Sequence, residues 1–366
     1  MIVPYEPIFT THTQSLPWLR ERTLYLTVHG SRAYGTNTES SDTDYKGVVV
    51  PPREYFHGFT KKFEQAECRE PDAVLYDIKK FFQLAANANP NIIEVLYTDP
   101  DSHVITHPSF RLVQDRRDLF LSKKVRHTFS GYAAAQLHRL QSHYKWLKNP
   151  PLAPPRREDF GLRPENEMTG VQRENLSVAM SMVVREVATW HDLDWTSLDA
   201  SQSIALRNRM TDFLARMKVS SEDVFVNTAK SLGMDDNLIA LLVQEKAYRA
   251  KKQDWDSYQT WLKSRNPARA AIEAQYGYDT KHAMHLVRLL RMCREILTTG
   301  KVIVLRPDAE DLLSIRAGMW SYDALAEWTV KQDREMDALY ESSNLPHSPN
   351  VKALDHLCMS LVDTML

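Results

Sequence analysis

Two short stretches carry the residue types that phosphate chemistry needs. Gly30-Ser31 follows an apolar run, Leu24 to Val28. Ten turn-rich residues later comes Asp42-Thr43-Asp44, followed by a second apolar run, Val48 to Val50. In a strand, alternate side chains share a face, so Asp42 and Asp44 point the same way. Two carboxylates on one face repel each other unless a cation lies between them. Their hard oxygens suit magnesium, which takes one or two carboxylates plus substrate phosphates. Gly30 permits close backbone approach, and Ser31 offers a hydroxyl and an N–H. A helix starting near Arg32 would leave free N–H groups facing an anion. A lone DxD is usually a solvated turn. The Gly-Ser turn and the two flanking apolar runs argue against that here.

The elements that position these residues follow from pattern. The two apolar runs read as strands, and Pro51-Pro52 ends the second. Arg53 to Glu70 reads as a loop or a short excursion carrying substrate-facing side chains. Asp72 to Ile78 reads as the third strand in the chain, followed by an amphipathic helix over Lys79 to Asn87. Asp72 and Asp77 are an odd number apart, so they face opposite sides of that strand. Asp77 is placed to cap the helix that follows. A second helix begins near Asn91, and Pro100 and Pro108 mark a loop.

Beyond residue 118 the periodicity is helical. Residues 119–157 hold Lys123, Lys124, Arg126, Arg139, Lys145, Lys148, Arg156 and Arg157 but no Asp or Glu. Tyr132, His138, His143, Tyr144 and Trp146 are interleaved with them. Basic side chains meet phosphates and aromatic faces stack bases, so RNA binding at Lys123, Lys124, Arg126 and Arg139 is the functional reading. A solvated face on a helix packed by Leu137, Leu140 and Leu147 is the bland one. Prolines 150, 151, 154, 155 and 164 make a stiff connection. Helices are predicted over 169–190, 200–218, 221–231, 235–251 and 254–264, with Trp190, Trp195, Trp255 and Trp261 serving the core. A helix from Thr280 to Thr299 has Asp279 for a cap and Gly300 for a stop. Lys281, His285 and Arg288 form one stripe on it, suited to an anion or to surface salt bridges.

The text GSRAYG followed by SDTDYKGV resembles the DNA polymerase beta nucleotidyltransferase superfamily. Within it, the likeness is to the RNA-repair-associated, polymerase-beta-like enzymes often found near RNA ligases. The stretches Asp72 to Tyr97 and Gly277 to Gly300 are also similar to that subgroup, whereas the middle of the chain is weakly covered. The resemblance implies a third carboxylate beside the DxD, with Asp72 favoured over Asp77. It implies two magnesium ions held by Asp42, Asp44 and Asp72, and an NTP whose phosphates meet Gly30 and Ser31. Arg32, Lys46, Lys281, His285 and Arg288 would add positive charge, although Lys46 reads more simply as a solvent-facing strand residue.

Composition bounds the rest. The chain has 366 residues, 43% of them hydrophobic, and a formal net charge of -1. Any basic surface must therefore be local. Cys68, Cys293 and Cys358 lie far apart without metal-finger spacing, which predicts reduced thiols in a cytoplasm. No apolar run approaches membrane-span length, and no secretion signal is expected. The predicted fold is α+β, a small mixed-sheet nucleotidyltransferase domain over residues 1–118 followed by an all-helical domain over 119–366. The expected activity is magnesium-dependent transfer of NMP from an NTP to an RNA 3′-hydroxyl, of RNA-repair or tRNA-end type. Transfer of AMP to a protein hydroxyl and a catalytically silent RNA-binding protein are the alternatives.

Overall fold

Residues 4–191 and 221–366 are described in a computed structural model. The first apolar run forms β1 (Thr23–His29), buried along its whole length. The second forms β2 (Asp44–Val49), and Glu64 to Asp77 supplies β3 (Gln65–Arg69) and β4 (Asp72–Asp77). A short β5 (His103–Thr106) completes a five-stranded sheet of order β3-β4-β2-β1-β5. β2 and β4 run parallel, while β1 is antiparallel to both β2 and β5. The sheet is therefore mixed, and an all-helical region follows it, as predicted.

β3 and β5 correct the reading of their segments as loops. Both are edge strands, five and four residues long, too short for a strong periodic signal. In β3, Ala66 and Cys68 face inward while Glu67 and Arg69 face water. Residues read as a lead-in also contribute to the core, since Ile8, Phe9 and Leu19 pack under Leu26, Val28 and Tyr45. Asp77 caps the Ile78–Ala86 helix, and Asn89 caps the next one, Pro90–Leu96.

The chain forms two compact units. One comprises Met1–Ser142 together with Ile272–Leu366, and the other comprises His143–Ala271. The C-terminal helices thus return to the unit that holds the sheet, which differs from a single break at residue 118. Within this unit the Thr280–Thr299 helix buries Leu286, Leu290, Cys293 and Ile296, and Gly300 ends it with φ +68°. The His143–Ala271 unit packs the helices Gly170–His191, Ser221–Ser231 and Asp236–Ser264 around Val183, Phe225 and Leu242.

Asp236–Ser264 is one continuous helix, where two were expected. Midway along it, the Asp254 carboxylate accepts hydrogen bonds from Lys145 Nζ and Trp146 Nε1. Trp255 and Trp261 are only half-buried, with Trp261 packed against Trp146 and Tyr258. The expected helix over 200–218 and Trp195 lie outside the described residues, and so does the Trp190 side chain.

Candidate active site

Strand pairing brings the carboxylates together. His29, the last residue of β1, pairs with Asp44, the first of β2. Tyr45 pairs in parallel with Ala73, so Asp44 and Asp72, one residue earlier on each strand, start neighbouring strands. β1 runs on into a five-residue helix, Gly30–Tyr34, closed by Gly35 at φ +72°. Gly30 itself has φ +67°, and a Cβ there would lie 1.9 Å from Asp44 Oδ2. The turn is thus seated directly on the Asp44 carboxylate. Gly30→Ala is accordingly expected to cost roughly 1–3 kcal/mol of stability, through left-handed strain alone, and to displace Asp44 as well. Denaturant unfolding, with transfer assayed in parallel, checks both effects.

Asp42, Asp44 and Asp72 line one cavity of about 880 Å³ with Gly30 and Ser31. Burial raises the Asp44 pKa to about 6, and the charges on Asp42 and Asp72 push it the same way. Asp77, on the opposite face of β4, is buried. Its Oδ2 accepts from the backbone N–H groups of Lys79 and Lys80 at 3.0 and 3.3 Å. Asp72→Ala should therefore remove activity with little change in stability. Asp77→Ala should cost on the order of 1 kcal/mol through the lost cap and spare chemistry. Melting curves and turnover of the two variants, side by side, test this division.

A basic wall faces the carboxylates. Lys281, His285 and Arg288 line the cavity from the Thr280–Thr299 helix, and Arg139 lines it from the Val125–Lys148 helix. Lys46 also lines it, half-buried, rather than facing solvent. Burial lowers the Lys46 pKa, against the pull of Glu94, Asp44 and Asp72. Arg32 does not line the cavity. Its guanidinium donates to the backbone oxygens of Ser41 and Asp42, at 2.7 and 3.0 Å, and so clamps the loop that carries Asp42.

Two expected RNA-binding residues need correction. Lys123 and Arg126 are buried and present no free cation to solvent. Arg126 pairs with Asp333 and Asp337 at 3.0 and 2.9 Å, and Lys123 Nζ donates to the Glu341 carbonyl. Lys124 is half-buried beside them. Only Arg139 of the four lies in the cavity.

Sequence reasoning missed the buried carboxylate that holds Arg288. Glu94 is fully buried and accepts hydrogen bonds from Tyr34 Oη at 2.5 Å and from Arg288 Nη1. The Arg288 guanidinium lies 3.7 Å from the Tyr34 ring centre, a cation–π contact. Burial opposes the Arg288 charge, but Glu94 and Tyr34 more than offset it. His29 Nε2 stands 3.6 Å from Glu94 Oε2. Burial, then the charges of Lys46 and Arg288, hold the imidazole well below its usual pKa and hence neutral. One signal was available, a lone carboxylate inside the apolar run Ile92 to Leu96.

Among the described residues, no three His, Cys, Asp or Glu groups converge as a ready-made metal site. Asp42, Asp44 and Asp72 nevertheless fit magnesium. They are hard oxygen donors whose mutual repulsion a cation would relieve, and phosphates commonly complete such a shell.

Residues 8–149 match the RNA repair pathway DNA polymerase beta family. The resemblance read from GSRAYG and SDTDYKGV is borne out over that stretch. An uncharacterized 38.9 kDa protein from the nrdC-mobD intergenic region of Enterobacteria phage T4 is 29% identical over 127 residues. That alignment covers 31% of this chain and 38% of the phage protein, so well under half of its length is spanned. No solved structure matches the chain. Among the described residues, no helix is long and apolar enough to cross a membrane.

Proposed function

We propose, from the match over residues 8–149 and the cavity it contributes to, that the chain is a magnesium-dependent nucleotidyltransferase. It transfers NMP from an NTP to the 3′-hydroxyl of an RNA, in RNA repair or end processing. One observation carries the reading. Asp44 and Asp72 at the starts of β2 and β4, Asp42 in the loop before β2, and the cationic side chains of the Thr280–Thr299 helix line the same cavity. That arrangement suits a metal-bound triphosphate, whose negative charge needs cations and whose cations need carboxylates.

Asp42, Asp44 and Asp72 would hold the metal. Bound there, two magnesium ions would lower the pKa of an attacking hydroxyl and neutralise the departing pyrophosphate. Gly30 brings backbone against the Asp44 carboxylate, and Ser31 offers its hydroxyl and N–H to phosphate oxygens beside it. Lys46, Lys281, His285 and Arg288 bind the remaining charge of the triphosphate. Arg288 is held for this by Glu94 and the Tyr34 face. Arg32 fixes the loop that aims Asp42. Arg139, exposed at the cavity, meets the acceptor backbone.

The acceptor is tested by its end group. With labelled NTP and magnesium, RNA ending in a 3′-hydroxyl should gain label. The same RNA ending in a 3′-phosphate should gain none. Equal labelling of both would exclude 3′-hydroxyl transfer.

A further inference from the structure

One wall of the cavity has no role in metal or phosphate binding. Between His127 and Arg139, which also line the cavity, the Val125–Lys148 helix turns Thr128, Gly131, Tyr132, Ala135 and Gln136 toward it, an uncharged strip. These positions step by three and four, so they share one helix face. Three features of the strip lack an explanation within the protein.

Gly131 sits inside the helix, where glycine costs stability relative to alanine. A Cβ at that position would meet nothing within 4 Å, so packing does not demand glycine. Tyr132 is 39% exposed, yet its hydroxyl accepts a 2.9 Å hydrogen bond from Asn89 Nδ2. An exposed ring held at a cavity rim is a stacking surface whose ordering cost has already been met. The carboxamide of Gln136 lines the cavity, and its oxygen, shielded from solvent, has no hydrogen-bond partner among the described residues. A carboxamide offers both donors and an acceptor, the combination a base edge matches.

We propose that this strip is a nucleobase subsite. Tyr132 stacks the base, the absent side chain at Gly131 leaves room for it, and Gln136 reads its edge. The proposal rests on the nucleotidyltransferase reading and extends it to specificity. The base belongs either to the incoming NTP or to the terminal nucleotide of the RNA acceptor, and the two share this chemistry.

Equilibrium binding of three probes separates the outcomes: each NTP with magnesium, inorganic tripolyphosphate with magnesium, and a short single-stranded RNA. Tyr132→Ala and Gly131→Leu should each weaken binding of the base-bearing probe by roughly tenfold or more, the loss of one stacked base. Tripolyphosphate binding should not change, and the melting temperature of Gly131→Leu should equal or exceed that of wild type. Loss confined to NTP assigns the subsite to the incoming nucleotide, and loss confined to RNA assigns it to the acceptor. Gln136→Ala should alter the ranking of the four bases in whichever probe is affected. Unchanged NTP and RNA binding in Tyr132→Ala and Gly131→Leu would overturn the subsite while leaving the nucleotidyltransferase reading intact. So would equal weakening of tripolyphosphate. Failure of the wild-type protein to bind any of the three would overturn the nucleotidyltransferase reading and the subsite with it.

Discussion

Asp44→Asn should abolish nucleotide transfer and, above pH 6, raise the melting temperature of the metal-free protein. Loss of one metal-holding carboxylate should cost several kcal/mol of transition-state stabilisation, about a thousandfold in rate or more. The stability effect follows from the sign of the shift. Asp44 titrates at about 6 in the folded protein against an ordinary 3.8, so the folded chain binds its proton more tightly. The stabilisation from that proton is complete below pH 4 and is lost as pH rises through 6. Above that, the ionised carboxylate costs at most about 3 kcal/mol, less whatever solvent at this partly exposed group screens. Asn removes the charge and should flatten the dependence. Thermal unfolding of both proteins between pH 4 and 8, without and with magnesium, reads this directly. Magnesium should stabilise wild type at pH 8 and leave Asp44→Asn unmoved. Destabilisation of Asp44→Asn at pH 8 with activity retained would reverse the assignment.

Glu94→Ala should be the most destabilising single change at the site, by about 3–5 kcal/mol, because it strands a buried charge. Arg288 is 4% exposed and its ion-pair partner at the site is the Glu94 carboxylate. The Tyr34 hydroxyl loses its acceptor in the same step. Removing both charges, as Glu94→Ala with Arg288→Met, should recover part of the loss, since the pair then leaves no orphan. Denaturant unfolding of the single and double variants gives the coupling. Additive losses would mean that the pair is not coupled.

The signature half of the site was legible locally. Gly30, Ser31, Asp42 and Asp44 lie within fifteen residues. Strand alternation put Asp72 and Asp77 on opposite faces, and the family resemblance favoured Asp72. What escaped was non-local. The Glu94–Arg288 pair joins residues 194 apart, and a local charge count cannot reveal it. The same physics misplaced Lys123 and Arg126. Residues 119–157 contain no acid, but the acids that bury Arg126, Asp333 and Asp337, arrive from a helix over 200 residues later. Lys46 was misjudged because alternation puts it on the Asp44 face, which here is a cavity wall and not bulk water. The short strands β3 and β5 were lost for want of length.

Transfer itself is the most direct test. The purified protein is incubated with each labelled NTP, magnesium and total tRNA, beside Asp42→Ala, and resolved on a denaturing gel. Asp42 is exposed, so its loss should leave the fold intact. Growth of the RNA by added nucleotide in wild type, absent in Asp42→Ala, is the predicted result. Unchanged RNA with label on a protein band, or RNA growth that persists in Asp42→Ala, would contradict it.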